Sequence, residues 1–305
     1  MIRLAVRVQR AQAELVLAEL LELAPTGVEE AEVGDDLVEY AVYGAAGELP
    51  SLPDLHAAAG DALVEVSTSE TADDWQERWR QFHRPVLVEA PSSGAASGRP
   101  VPALRVRPPW EADSLDVQGP VEEIVLDPGQ AFGTGAHATT RMCLELLLEL
   151  AAAGLASGPL LDVGSGSGVL AIAAARLGFA PVLGLDHELE SVEAARANAA
   201  VNRVEIAVER FDLRRQELPW LHPQDAQTPA SARPTAGITM LANLLLPLLL
   251  ELARTMRAAP DRLIASGLLC EQADQVSEAF SDRFGLIERR RLERGEWAAL
   301  WLAAD

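Results

Sequence analysis

Two kinds of hydrophobic spacing divide the chain. Near its start, "IRLAVRV" alternates, placing Ile2, Leu4, Val6 and Val8 on one face of a strand. "AQAELVLAELLELA" has helical spacing, and "TGVEEAEVGDDLVEYAVYG" reads as a hairpin turning near Gly34 and Asp35. A second helix over residues 51–60 and a strand in "ALVEVSTSE" follow. Strand, helix, two strands, helix, strand predicts a small ferredoxin-like α+β domain over residues 1–70. In "DDWQERWRQFHRPVLV", Trp75, Trp79 and Phe82 share one helix face. That spacing predicts a linker helix over 71–84, packing its apolar stripe on a neighbour. The Pro/Gly/Ser-rich segments 91–102 and 222–235 read as surface insertions without residues for chemistry.

From about residue 121 the pattern becomes strand then helix, repeated. "EEIVLDPG", "GPLLDVGSGSG", "PVLGLDHE", "VEIAVERFD", "GITMLANLL", "LIASGLL" and "EWAALWLAA" are the strands. Helices are expected in "TTRMCLELLLELAAAG", "GVLAIAAARLG", "ELESVEAARANAAVN" and over 271–283. Such alternation implies a largely parallel, doubly wound sheet with helices on both faces, here over 85–305. Ligands bind such sheets beyond the carboxyl ends of the strands. The Gly-rich turn and the acidic strand ends fall there.

Composition narrows the picture. The chain has 305 residues, 49% of them hydrophobic, enough for two domains at about 150 residues each. Its formal charge is −21, from 46 acidic and 25 basic residues. That argues against direct nucleic-acid binding, which draws on clustered cations, and suits a basic protein partner. Cys143 and Cys270 cannot build a disulfide framework or a metal cluster, and read as free thiols of a cytoplasmic protein. The N-terminal segment carries Arg3, Arg7, Arg10 and Glu14, unlike a signal peptide. "MLANLLLPLLLEL" is too short to span a membrane, which needs about 20 residues.

The chemistry starts at "LLDVGSGSGVLAIAAARLG". Gly164, Gly166 and Gly168 follow a strand and open a helix, letting backbone approach a ligand at a helix N-terminus. "GSGVLA" also satisfies the dinucleotide form G-x-G-x-x-A, which keeps a nicotinamide enzyme in play. Asp186, 22 residues after Gly164, is placed to accept ribose hydroxyls of either an NAD or an S-adenosylmethionine ligand. Three features separate the two. A strand and helix precede the glycine strand. Asn243 ends the fourth strand, where a carboxamide can meet an amine without carrying charge. The histidines, His56, His83, His137, His187 and His222, lack lysine or serine partners for hydride transfer, and the chain has no lysine at all. For the same reason "LDPGQAFGTGAH" (126–137) is no Walker loop, and His137 has no companion for a metal.

"DPGQAFGTGAHATTRMCLELL", "LLDVGSGSGVLAIAAARLG", "GLDHELESVEAARANAAVN" and "LANLL" resemble the motifs of ribosomal protein L11 methyltransferases. "DWQERWRQFHRP", "RVRPPWE", "LIASGLLCEQADQVSEAF" and "RGEWAALWL" extend the match. The resemblance implies a class I methyltransferase, Rossmann-like, with S-adenosyl-L-methionine as cofactor. It implies methylation of L11 at lysine side chains and at the N-terminal α-amine, with the small domain binding the substrate. Carried over, the cofactor contacts are Thr140, Gly164, Asp186 and Asn243, with Gly166 in the same turn and Asp212 a weaker candidate for the adenine amino group. Asn243 is also the expected catalytic residue, and no metal is expected. Phe132 is expected over the pocket. Capping of the helix start is a second role for Thr139 and Thr140, and His137 reads as structural. Ala136 and Ala138 stand where the family has Thr and Pro, and Ser165 where Cys is commoner. The strand of Asn243 lacks the acid that often starts it. A different protein acceptor, such as an electron-transfer flavoprotein subunit, or a non-catalytic cofactor-binding module, stands as an alternative.

Overall fold

The computed structural model describes residues 2–13, 16–17, 20, 28–33, 36–44, 49–50, 53, 55, 59–70, 85–89, 100–111, 119–127, 135–219 and 237–304. The expected linker helix 71–84, most of segment 91–102, segment 222–235 and Phe132 lie outside the described residues. The chain divides into two compact units, Met1–Phe82 and His83–Asp305.

The small unit has strands β1 (Ile2–Gln9), β2 (Glu29–Val33), β3 (Leu37–Gly44) and β4 (Leu63–Glu70). They pair antiparallel in the order β2-β3-β1-β4. Helical residues fall between β1 and β2 and between β3 and β4, which completes the ferredoxin-like arrangement. The alternation in β1 works as read: Leu4, Val6 and Val8 are buried with Val38, Tyr40 and Leu55. The Tyr40 hydroxyl donates to the Ala13 carbonyl at 3.0 Å, so its one polar atom is satisfied. The opposite face of β1 is charged. Arg3 and Arg7 donate to Glu39 at 2.6 and 2.7 Å. The Arg3 hydrogen bond, then that of Arg7, holds the Glu39 carboxyl below the usual range.

The large unit carries two sheets. β5 (Val86–Val88), β6 (Ala103–Arg107) and β7 (Val121–Val125) form a three-stranded sheet, with β6 and β7 parallel. The "EEIVLDPG" strand therefore belongs to this small sheet and not to the main one. Its partners β5 and β6 are short and escaped the reading of the sequence.

The main sheet contains β8 (Leu160–Val163), β9 (Val182–Asp186), β10 (Ala207–Arg210), β11 (Thr239–Asn243), β12 (Arg262–Leu269), β13 (Ile287–Arg294) and β14 (Trp297–Ala303). Its order is β10-β9-β8-β11-β12-β14-β13. The first five strands are parallel, and β14 enters antiparallel beside β12. Helices α1 (Ala138–Ala152), α2 (Val169–Leu177), α3 (Leu189–Asn202), α4 (Leu246–Thr255) and α5 (Ala273–Phe284) accompany it.

Strand alternation splits the core in two. On one face Leu160, Leu241 and Ile264 meet Leu144, Leu147 and Ile172 of α1 and α2. On the other, Leu161, Met240 and Leu263 meet Leu249, Leu252, Val276 and Phe280 of α4 and α5. Strand order reverses between β8 and β11, opening a crevice at their carboxyl ends.

Candidate active site

The turn after β8 bends through three left-handed glycines: Gly164, Gly166 and Gly168, at φ 79°, 51° and 81°. Side chains resist these dihedrals, and at Gly168 a Cβ would also press on Ala195 of α3 at 3.0 Å. The turn is pinned from β9. Gly164 and Ser165 N–H groups donate to the Leu185 carbonyl at 2.8 and 3.0 Å. Gly166 N–H donates to Asp186 Oδ2 at 2.8 Å, and Glu188 N–H to Asp186 Oδ1 at 3.0 Å. Asp186 is thus held rigidly at its strand end, and each oxygen keeps a further acceptor site.

Thr140, Gly164, Gly166, Asp186 and Asn243 all line one cavity of about 530 Å³. That size suits a small-molecule site, roughly 300–1,000 Å³. Thr140 is buried in the first turn of α1, and Asn243 Nδ2 lies 3.5 Å from its Oγ1. Phe211, Leu213, Leu244 and Leu248 add apolar wall. Asp212 also lines the cavity, but its carboxylate accepts Arg214 N–H at 2.9 Å and pairs with Arg215 at 3.2 Å. Each of its oxygens, like those of Asp186, keeps a further acceptor site.

The helix cap differs from expectation. His137, not Thr139 or Thr140, is the N-cap of α1; its Nδ1 lies 3.4 Å from Thr139 N and 2.8 Å from Thr139 Oγ1. Its ring meets Trp297 edge-on at 5.1 Å. The imidazole is built into the helix start, as its structural reading implied. Ser165, Glu188, Ser191 and Arg214 line the cavity without having been singled out for it. They follow strands β8, β9 and β10, so the strand-end rule applied to every strand would have found them.

The donor set fits a nucleoside ligand with a polar tail. Asp186 offers acceptors for vicinal hydroxyls, and Thr140 and Asn243 bring a hydroxyl and a carboxamide to the same cavity. Among the described residues no group of three or more His, Cys, Asp or Glu could hold a metal ion. None of the described helices is long and apolar enough to cross a membrane.

Five parallel strands in this order, closed by an antiparallel β14 inserted beside β12, with a glycine turn and an acidic strand end at the reversal, define a class I methyltransferase. The family model "Ribosomal protein L11 methyltransferase (PrmA)" matches residues 52–304. The chain belongs to the ribosomal protein L11 methyltransferase family. It is 37% identical over 251 residues to the L11 methyltransferase of Geobacter metallireducens, covering 80% of this chain and 72% of that one. The Geobacter sulfurreducens protein of the same name is 35% identical over 255 residues, covering 82% and 73%. Among solved structures, the ribosomal protein L11 methylase of Lactobacillus delbrueckii subsp. bulgaricus superposes with a TM-score of 0.52 and 30% identity. It covers 66% of this chain and 95% of that one. Family membership decides between the methyl-transfer and hydride-transfer readings of the glycine turn.

Proposed function

We propose that this chain moves the methyl group of S-adenosyl-L-methionine to lysine and N-terminal amines of ribosomal protein L11, in the cytoplasm. One observation carries the reading: residues from α1, the glycine turn, β9 and β11 converge on a single cavity at the reversal of strand order. The donor, when bound, would supply an electrophilic sulfonium methyl to an amine lone pair in line, the methyl–sulfur bond breaking to leave neutral S-adenosylhomocysteine and the amine's proton passing to solvent. The chain's own residues bind and aim. Asp186 accepts the ribose hydroxyls. Gly164 and Gly166 let backbone approach closely, and Thr140 meets the polar amino-acid end. Asn243 faces the donor and also accepts an N–H of the incoming amine through its Oδ1, which aims the amine's lone pair into the cavity.

A lysine amine is mostly protonated in water, with a pKa near 10.4. The wall of Phe211, Leu213, Leu244 and Leu248 disfavours the charged form and excludes water. Positioning of this kind supplies most of the rate when the leaving group is already activated. No side chain in the wall is assigned as a general base. The unit of residues 1–70 is assigned to substrate recognition, joined by 71–84 to the catalytic unit.

Two measurements test the reading. Calorimetry is expected to show binding of S-adenosylmethionine and none of NAD. Mass spectrometry of L11 from cells lacking this chain is expected to show loss of its methyl groups. Unchanged L11 methylation would transfer the activity to another protein acceptor.

A further inference from the structure

Helix α3 has an unusual buried face. Its inward residues include two asparagines one turn apart, Asn198 and Asn202, each 4% exposed. Asn202 grips β7 at one residue: its Oδ1 accepts Val125 N–H at 2.8 Å and its Nδ2 donates to Val125 O at 2.7 Å. Asn198 does something different. Its Oδ1 accepts Asp127 N–H at 3.2 Å, where the chain leaves β7 toward α1. Its Nδ2 donates to Ser167 O at 2.9 Å, inside the glycine turn. One carboxamide thereby bridges two separate segments. Ser167 lies between Gly166 and Gly168, and Gly166 is the turn residue bonded to Asp186. Asp127 opens the lead-in to α1, which carries Thr140. Asn198 itself is absent from the cavity wall.

We infer that Asn198 is a positioning residue for the methyl donor: its side chain ties the glycine turn, which supplies Gly164 and Gly166 to the cavity wall, to Asp127 just past the end of β7, fixing the turn in place. This rests on the reading of the cavity as the donor site. The amide is suited to the task because it presents one acceptor and one donor on a rigid plane. An acid of the same shape keeps the acceptor and loses the donor. A carbonyl and an N–H buried without partners would let each segment relax independently.

The test compares full-length wild type with Asn198→Asp, Asn198→Ser and Asn202→Ala. S-adenosylmethionine affinity is measured by calorimetry, KM for the donor and kcat by methyl transfer to L11, and Tm by thermal denaturation. Both Asn198 variants are expected to weaken donor binding by about tenfold, the scale of one lost buried hydrogen bond. Their kcat at saturating donor stays near that of wild type. Asn202→Ala is expected to lower Tm while leaving the donor Kd within about twofold, since its side-chain bonds reach Val125 of β7 and the Asn198 carbonyl within α3 but not the glycine turn. Folded Asn198 variants that bind donor as wild type does, with only Tm lowered, would overturn the inference; Asn198→Ser serves where Asn198→Asp fails to fold. A wild type that binds no donor overturns instead the reading on which the inference rests.

Discussion

Asp162 makes the stability of the large unit depend on pH in an unusual direction. It lies on β8 between Leu161 and Val163 but faces the side where Leu160 packs on α1 and α2. The residue is fully buried, and neither carboxylate oxygen has a hydrogen-bond partner of good geometry. Desolvation pushes its pKa up to about 7. The Ala171 N–H in the first turn of α2 acts as a weak electrostatic partner that pulls it partly back, and the nearby Asp186 charge raises it further. An unfolded aspartate titrates near 3.9. The folded chain therefore keeps this proton where the unfolded chain has lost it. The site's contribution is whole below about pH 4 and is lost as pH rises through 7. Three units at about 1.4 kcal/mol each give about 4 kcal/mol in full. Between pH 5 and 8 the change is about 2–3 kcal/mol. For a unit of this size that amounts to roughly 5–10 °C in Tm.

Calorimetric melting of wild type and Asp162→Asn at pH 5, 6, 7 and 8 isolates the site, because the other groups titrate alike in both. The carboxamide cannot ionise, so the wild type is expected to fall away from the variant as pH rises. The slope is the diagnostic, since an unpartnered amide has its own cost of about 1–3 kcal/mol at every pH. Parallel curves would refute the argument. A wild type that gains on the variant with rising pH would mean an ionised, paired Asp162.

Three other substitutions probe the cavity. Asp186→Asn removes a charged acceptor and is expected to weaken S-adenosylmethionine binding about 10- to 100-fold by calorimetry; it should also lower the pKa of Asp162, shifting the melting profile above to more acidic pH. Asn243→Ala is expected to cut kcat about 100-fold with a smaller loss, about tenfold, in donor affinity, because its carboxamide aims the amine as well as meeting the donor; a loss confined to donor Kd would remove it from the aiming role. Gly267→Ala places a Cβ 2.5 Å from the Leu244 carbonyl oxygen, at a φ of 84°. The displaced Asn243–Leu244 backbone should lower kcat at least about tenfold, and wild-type turnover by this variant would show that the contact can be relieved.

Gly164, Asp186 and Asn243 were legible because each sits where a strand pattern breaks, whereas Thr140, in the first turn of α1, came only from the family resemblance. The apolar runs before Gly164, Asp186 and Asn243 announce strand ends, and a parallel sheet collects those ends on one edge. Other features had no such signal. β13 reads "IERRRLER", with little apolar alternation; as an edge strand it is held by β14 on one side, and its arginines reach Glu145, Glu149 and Asp274. The face of α3 that carries Asn198 and Asn202 looks solvated in sequence, since nothing local says that backbone from β7 and the glycine turn will fill their hydrogen bonds. His137 took the cap that two threonines seemed to offer because its ring also rests on Trp297, more than a hundred residues away. The burial of Asp162 depends on α1 and α2 closing over β8, which a one-dimensional pattern of "LLDVG" does not record.

The charge network has a chemical corollary. Arg3, Arg7, Arg105, Arg107, Arg176, Arg254, Arg291 and Arg294 all form ion pairs, and arginine supplies every one of the chain's 25 basic side chains. A guanidinium stays protonated far above neutral pH and offers no free lone pair to an electrophilic methyl. A lysine in the same bridges would be a latent acceptor, released each time its salt bridge opened. The catalyst thus carries no side-chain amine that could consume its own donor. Lysine automethylation therefore cannot erode these ion pairs.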